Sequence, residues 1–292
     1  MLKSKIKGAL VRYGNWIPDY YFLKVYSYLR TGKSINFKNP KTFNEKINWI
    51  KLYDRRPIMT KLADKYAVRE YVKEKLGEKY LIPLLWSGKN PEDIPFDELP
   101  NSFVIKTNHA SGTNIIVKNK SELNREEAIR QLKSWLSKNY YYSKREWAYK
   151  EIDRKVVVEE FIGPKNKVPE DYKLFVINEK VVLIQVDHDR DVKHTRSLYD
   201  PKWNKLNYTL EFEKSEIVLD KPNKLDELIY CAEILGEGFS QVRIDFYIVD
   251  DQLYFGEITF YHGAGFERFI PNDYELNNYY GKLIDLKNLN NR

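Results

Sequence analysis

The sequence predicts an α+β fold in which a mostly helical N-terminal region, residues 1–98, precedes a series of antiparallel hairpins. Three observations carry this. Up to about residue 98, apolar residues recur at helical spacing, as in INWIKLYD and KLADKYAVREYVKEKLG. Beyond it, apolar and β-branched runs are joined by short polar turns, at Asn178-Glu179 and Asp250-Asp251. No clear strand–helix–strand alternation opens the chain.

With 292 residues the chain suffices for one large domain or two smaller ones, and about three-quarters of the unfolded surface can be buried at that size. The single Cys231 excludes a disulfide framework and a cysteine-based metal site, and suits a reducing compartment. No apolar run reaches membrane-spanning length. Lys and Arg interrupt MLKSKIKGALVRYG too often for a secretory signal, so a cytoplasmic protein is expected. The net charge of +7, from 49 basic and 42 acidic residues, favours anionic partners without choosing among nucleotide, polysaccharide, nucleic acid and lipid. No homeodomain, zinc-finger or RNA-binding fingerprint occurs, so nucleic acid is not an expected partner. The 23 tyrosines and 14 phenylalanines could stack on bases or sugars, although at strand spacing they read first as core.

The elements follow in order. A basic segment to Arg12 and an aromatic one around Tyr20–Leu29 read as helices, and Asn44-Glu45-Lys46 opens a third. The basic segment is of the kind that can lie on an anionic membrane surface; packing on the domain is the preferred reading. KLADKYAVREYVKEKLG reads as one helix ending at Gly77, YLIPLLW as a short strand, and GKNPEDIPFDELP as a boundary loop. NSFVIKTNHASGTNIIVKN is strand, small-residue turn, strand. A helix from about Arg125 to Lys138 has Ser121 or Asn124 as its cap. KVVVEEFIG is a buried strand, DYKLFVINEKVVLIQVDHD a hairpin, 194–222 irregular, and NKLDELIYCAEILGEGF a helix.

That helix leads into QVRIDFYIVDDQLYFGEITF, residues 241–260, two strands whose apolar pattern is interrupted by Arg243, Asp245, Glu257 and Thr259. A two-residue loop at 250–251 would set Asp245 against Gly256 and Glu257 among apolar neighbours. A three-residue loop over 250–252 pairs Asp245 with Glu257 and Arg243 with Thr259, and sorts Val242, Ile244, Phe246, Ile258 and Phe260 to the other face. The second register is preferred. Two facing carboxylates repel, and a divalent cation between them is a common remedy; oxygen ligands of this kind suit Mg²⁺.

Other stretches carry weaker signals alone. Lys106 enters Thr107-Asn108-His109-Ala110-Ser111-Gly112-Thr113-Asn114, where small residues let backbone N–H groups approach an anion. Small polar turns also join strands with no ligand, and neither GxxxxGK[ST] nor GxGxxG is present. Lys65, in Ala63-Asp64-Lys65-Tyr66, says less still. Val156–Ile162 ends in Glu159-Glu160-Phe161-Ile162, which could offer an adenine edge its backbone and an apolar wall; a buried edge strand looks the same. Asp171-Tyr172-Lys173 offers an acceptor for ribose and a cation for phosphate.

Taken in order, these features resemble the ATP-grasp enzymes. NPKTFNEK (39–46), DKYAVREYV (64–72), LPNSFVIKTNHASG (99–112), VVVEEFIG (156–163), DYK (171–173) and VRIDFYIVDDQLYFGEITFYHGAG (242–265) resemble the TupA-like ATP-grasp family, found among bacterial surface-polysaccharide and teichuronopeptide biosynthesis functions. The resemblance covers about Asn36 to Pro271. It implies an ATP-grasp fold: two α+β lobes enclosing the nucleotide, a small one over 99–162 and a large one with the metal-binding hairpin over 163–292. It implies ATP and Mg²⁺ as cofactors. Lys65 and Lys106 would contact phosphates beside a loop of Ser111, Gly112 and Thr113. Glu159, Glu160, Phe161 and Ile162 would form the adenine hinge, and Asp171 would hold ribose. Lys173 would face phosphate or substrate, Asp245 and Glu257 would bind the metal, and Arg243 would face the reacting carboxylate. Thr259 stands where many ATP-grasp enzymes carry an Asn metal ligand, which leaves a second metal site open.

The reaction so implied joins a carboxylate to an amine through an acyl phosphate, with an acidic carbohydrate or peptide as acceptor. Such phosphoryl transfer needs positioning and charge neutralisation rather than a protein nucleophile, which fits the absence of a Ser-His-Asp or Cys-His signature. Competing readings are a glycosyltransferase, from the DxD-like Asp187-His188-Asp189 with Asp191 nearby, an ATP-dependent sugar kinase, and a nucleotide-responsive binding module. Of His109, His188, His194 and His262, His109 is best placed for acid–base work.

Overall fold

The computed structural model describes residues 2–163, 167–188 and 194–286. Helices come first: α1 (Leu2–Tyr13), α2 (Asp19–Thr31) and α3 (Phe43–Tyr53). Thr42 opens α3 with a capping box: its hydroxyl accepts from Glu45 N and the Glu45 carboxylate accepts from Thr42 N. The single helix expected over 61–77 is two, α4 (Pro57–Ala63) and α5 (Val68–Lys75). Helical periodicity runs through the break, but Asp64 leaves the helical region and its carboxylate accepts from Tyr66 N at 2.8 Å and Ala67 N at 3.2 Å.

The rest is mixed. In order come β1 (Leu84–Gly88), β2 (Phe103–Thr107), β3 (Asn114–Val117), α6 (Arg125–Leu136, capped by Asn124), α7 (Tyr141–Lys144) and β4 (Val156–Glu160). After these lie β5 (Asp171–Ile177), β6 (Lys180–His188), β7 (Thr195–Tyr199), β8 (Thr209–Leu210) and β9 (Glu213–Lys214). The chain continues through α8 (Leu225–Leu235), β10 (Gln241–Val249), β11 (Gln252–Thr259), β12 (Phe269–Ile270) and α9 (Asp273–Leu283). Residues 194–222, expected irregular, thus supply three strands. Two are only two residues long, too short to leave a periodic signal, and stacking of Trp203 on Tyr199, ring centroids 4.1 Å apart, steadies the region.

A four-stranded sheet has the order β1-β4-β2-β3 and a six-stranded sheet the order β11-β10-β5-β6-β7-β9. In the smaller, Phe103, Ile105, Val156 and Val158 alternate onto one face and join Leu132 of α6 in a core. Period two then sends Val104, Lys106 and Glu159 to the other face, where Val104 pairs with Glu159. In the larger, Leu174, Ile184, Ile244 and Ile258 share the back face, crossed by Leu228, Ala232 and Leu235 of α8. Its front face carries a polar row, Glu257–Asp245–Lys173–Gln185, one residue from each of β11, β10, β5 and β6. Residues of α3, α4 and α5 belong to the same core as this sheet, while Phe22, Leu23 and Tyr26 of α2 pack on Phe266 with Leu10 and Val11 of α1 against them. No described helix is long and apolar enough to cross a membrane.

The last hairpin corrects one expectation and keeps its consequence. The turn is two residues, Asp250 and Asp251, both left-handed at φ 49° and 58°, and Val249 pairs with Gln252. The extra residue lies instead at a bulge opposite Asp245 and Phe246, where Gly256 is skipped. Asp245 therefore faces Glu257, and Arg243 faces Thr259.

Candidate functional site

The polar faces of the two sheets enclose a cavity of about 960 Å³. Lys106 and Glu159 line it from the small sheet, Ser111, Gly112 and Thr113 from the β2–β3 loop, and Glu160, Phe161 and Ile162 from the end of β4. Asp171, Lys173, Arg243, Asp245 and Glu257 line it from the large sheet, and Lys65 from the break between α4 and α5. The nucleotide, metal and substrate residues singled out from sequence thus converge, except Thr259, and the acid–base candidate His109 is not among them. Thr259 is not among the lining residues; its hydroxyl donates to Glu257 at 3.0 Å and accepts from Arg243 at 3.1 Å, behind the carboxylate pair.

The loop after β2 is pinched at its neck, where Thr107 N donates to Thr113 O and the two threonine hydroxyls lie 2.6 Å apart. Gly112, at φ 71°, takes the left-handed step inside it. Lys65 is tied to this loop twice: its backbone N donates to Asn108 O at 3.1 Å and its Nζ to Ala110 O at 2.8 Å. Asn108 is buried and structural, accepting from Lys155 N and donating to Asp153 O. His109 does not line the cavity. Its Nε2 lies 3.1 Å from Lys138 O, an acceptor only, so Nε2 carries the proton; burial pushes its pKa down to about 4. A neutral, enclosed imidazole is scaffold here.

Lys106 is ion-paired with Glu159, whose other oxygen accepts from Arg69 at 3.1 Å. Arg69 also holds Ile82 O at 2.9 Å, so it fixes Glu159 while bracing the segment ahead of β1. On the opposite wall Lys173 bonds Asp171 and, at 2.9 Å, Asp245. Arg243 grips Asp245 through Nε at 2.6 Å and Nη2 at 2.7 Å, and its Nη2 reaches Glu257 at 2.7 Å. Lys65 Nζ stands 3.5 Å from the other Glu257 oxygen. Burial pulls the Glu257 carboxyl up, but Lys65, Arg243 and Lys173 outweigh it and hold it well below the ordinary range. Burial likewise opposes the Arg243 charge, and Asp245 and Glu257 outweigh it, raising its pKa further.

Arg243 has one more partner. Its Nη1 lies 2.8 Å from His262 Nδ1, and His262 Nε2 lies 2.9 Å from Glu267 Oε2. A guanidinium only donates, so Nδ1 must accept and Nε2–H donates to the carboxylate. Facing a guanidinium through Nδ1, the imidazole is neutral, and burial pushes its pKa down; Glu267, bonded by His262 Nε2–H and paired with Arg196 at 3.2 Å, is held below the ordinary carboxylate range. Helix α3 fixes the turn that carries His262: buried Asn48 donates to Gly265 O at 2.8 Å and buried Lys51 to Ala264 O at 2.6 Å. Ala264, at φ 53°, is left-handed within that turn.

The donor set fits a magnesium ion. Asp245 and Glu257 present facing carboxylates to the cavity, and no group of three His, Cys, Asp or Glu able to hold a metal occurs among the described residues. Two carboxylates completed by water and phosphate oxygens is how Mg²⁺ is ordinarily held. Among the described residues the cavity lining carries six cationic and seven carboxylate side chains, and a bound divalent cation would turn the balance of these positive. Arg243 Nη2, with two hydrogens, has three acceptors within 3.1 Å, so one of its contacts is exchangeable. Asp187, from the DxD-like run, lines the cavity but is engaged by Arg196 Nε at 2.6 Å and by Gln185 Nε2; Asp189 and Asp191 lie outside the described residues. Sequence reasoning passed over Arg69, Glu267 and Lys51: Arg69 lies within DKYAVREYV but acts on Glu159, 90 positions on, Lys51 acts on Ala264, and Glu267 matters only once Arg243 meets His262.

An α+β protein with a cation-and-carboxylate cleft between its two larger sheets is the class that fold and site define. A family model, TupA-like ATPgrasp, matches residues 45–284, and the chain belongs to this family and has its ATP-grasp fold. No curated protein sequence matches it. Among solved structures it is similar to D-alanine–D-alanine ligase from Bacillus anthracis, at 18% identity and TM-score 0.39, covering 74% of this chain and 58% of that one. L-amino acid ligase from Bacillus licheniformis gives 14% and 0.47, covering 76% and 49%. The ATP-grasp ligase PsnB, solved with a phosphomimetic variant of its minimal precursor, Mg and ADP, gives 11% and 0.40, covering 74% and 57%. The chain therefore spans about half the length of the solved proteins it matches.

Proposed function

We propose that the chain is an ATP- and Mg²⁺-dependent carboxylate–amine ligase that attaches an amino acid or other amine to an acidic sugar or peptide of a surface polysaccharide. The observation that carries this reading is the facing pair Asp245 and Glu257, set in one cavity with Lys106 and Lys65. In the proposed reaction an acceptor carboxylate oxygen attacks the γ-phosphorus, ADP leaves, and the acyl phosphate is attacked by the amine, which loses a proton and expels phosphate to leave an amide.

Lys65 and Lys106 would draw the phosphates against the loop 111–113, and Glu160, Phe161 and Ile162 would border the base. Asp245 and Glu257 would hold the magnesium ion, which supplies charge neutralisation for the transferred phosphoryl group when bound. Arg243, kept in place by His262, would meet the acceptor carboxylate with the donor freed from its shared contacts. Thr259 would orient Glu257. The cytoplasm, where ATP is available, is the compartment this reading requires.

The acidic acceptor rests on the resemblance and not on the field of the cleft, whose described lining residues are close to neutral in sum. A mass-spectrometric screen of acidic sugars, peptides and amino acids with ATP and Mg²⁺ tests the proposal, with Asp245→Asn as the inactive control. A carboxylate-and-amine-dependent mass equal to the sum of both less water supports it. A phosphorylated sugar with no amide counts against it.

A further inference from the structure

The positive charge of this protein is concentrated away from the cleft. Residues 1–33 hold seven Lys or Arg and a single acid, Asp19, a net +6 of the whole chain's +7. Asp19 is turned inward to Arg55 at 2.6 Å and Arg145 at 3.2 Å, and Arg30 pairs with Glu211. Lys3, Lys5 and Arg12 remain exposed, with Lys7 and Lys24 half-exposed.

The same segment exposes apolar side chains in stripes. On α2, Phe22, Leu23 and Tyr26 are buried, whereas Tyr21, Val25 and Tyr28, spaced four and three apart, face outward. On α1, Ile6 and Tyr13, seven apart, face outward also. Lys3 Nζ lies 5.3 Å over the Tyr28 ring, which joins the stripes at one end. Trp16, in the connecting turn, is 82% exposed, Tyr13 64% and Tyr21 62%. An exposed Trp–Tyr belt interleaved with lysines suits one occupant: a bilayer interface, where indole and phenol rings sit at headgroup level and lysines meet anionic lipid.

We propose that the α1–α2 face docks the protein on an anionic membrane surface, with the cleft held in the adjoining aqueous phase. The family match begins at residue 45, so the face lies outside the shared catalytic fold.

The test is co-sedimentation of the full chain with vesicles of phosphatidylcholine alone and of phosphatidylcholine mixed with phosphatidylglycerol, at about physiological salt. Binding to the mixed vesicles alone, weakened by added salt, is expected. Each near-surface lysine contributes roughly fivefold, so Lys3→Gln, Lys5→Gln and Lys7→Gln combined should weaken it about a hundredfold. Trp16→Ser with Tyr13→Ser should weaken it about tenfold or more, as interfacial apolar contact is lost. These positions are exposed, or half-exposed at Lys7, so an unchanged thermal midpoint checks that each variant is folded. Absence of binding, equal binding to neutral vesicles, or binding that either variant leaves intact overturns the proposal. So does tighter binding to single-stranded nucleic acid than to vesicles, or a concentration-dependent dimer abolished by Trp16→Ser.

Discussion

Arg243 donates to the Nδ1 of His262 at 2.8 Å, and this contact fixes the imidazole as the Nε2–H tautomer, because a guanidinium has no lone pair to offer in return. Replacing His262 by Leu leaves one guanidinium edge buried without an acceptor, a loss of about 1–3 kcal/mol at Arg243. The expected result is turnover reduced about ten- to a hundredfold with ATP affinity unchanged. His262→Asn, which can present an acceptor oxygen to Arg243, should recover much of that loss. Equal effects of the two substitutions, or a weakened ATP affinity, would show that His262 does not act through Arg243. The nitrogen-15 shifts of the ring should report the Nε2–H form across neutral pH.

Lys106 should govern nucleotide affinity. It lines the cavity paired with Glu159, which Arg69 holds from the other side. Removing its charge by Lys106→Met deletes a charge-assisted contact worth about 1.5–3 kcal/mol, so ATP should bind about ten- to a hundredfold more weakly. Isothermal titration with a non-hydrolysable ATP analogue and Mg²⁺ gives the value directly. An affinity equal to wild type would remove Lys106 from the phosphate site.

Gly256 should matter although it carries no side chain. A Cβ there would stand 3.1 Å from Asp245 O and 3.2 Å from the Tyr247 ring, and the backbone carbonyl cannot give way without moving Asp245. Gly256→Val is expected to cut turnover more than tenfold while shifting the unfolding midpoint by only a few degrees, since about 1–3 kcal/mol of overpacking is spread over one hairpin. Titration of activity against Mg²⁺ should show a higher metal requirement. An unaltered requirement would show that the bulge does not position the carboxylates.

His109 ties stability to pH. Its pKa is depressed in the fold to about 4 by burial, so between the ordinary value of 6.5 and about 4 the unfolded chain binds a proton that the native chain does not. Its contribution is complete above 6.5 and is lost progressively as the pH falls to about 4. The difference in thermal midpoint between wild type and His109→Gln, whose amide can still donate to Lys138 O, should therefore narrow across that window. A difference constant with pH would mean that His109 is not held neutral.

The hairpin shows what the sequence could and could not disclose. Alternation of apolar and polar residues fixed which faces Asp245 and Glu257 occupy, and hence their pairing. It could not tell a three-residue loop from a two-residue turn with a bulge at Gly256, because both give the same partners. Helical periodicity likewise passed straight through Asp64, where a local carboxylate cap breaks the helix and delivers Lys65 to the cleft. Asp64 followed by a helical run was the available signal. The supports behind the site, Arg69 on Glu159, Glu267 on His262, and Lys51 on Ala264, join residues 90, 5 and 213 positions apart. The two distant ones leave no pattern in a single sequence. Glu267 lies near His262 in the chain, yet its role depends on Arg243 arriving from another strand.

The most direct measurement is the yield of ADP when the chain is supplied with ATP, Mg²⁺, an acidic acceptor and an amine, with the amide counted in the same sample. Ligation through an acyl phosphate predicts one amide per ADP, ADP release that needs both acceptor and amine, and neither product from Asp245→Asn. ADP formed without amide, or a nucleotide sugar consumed in place of ATP, would contradict it.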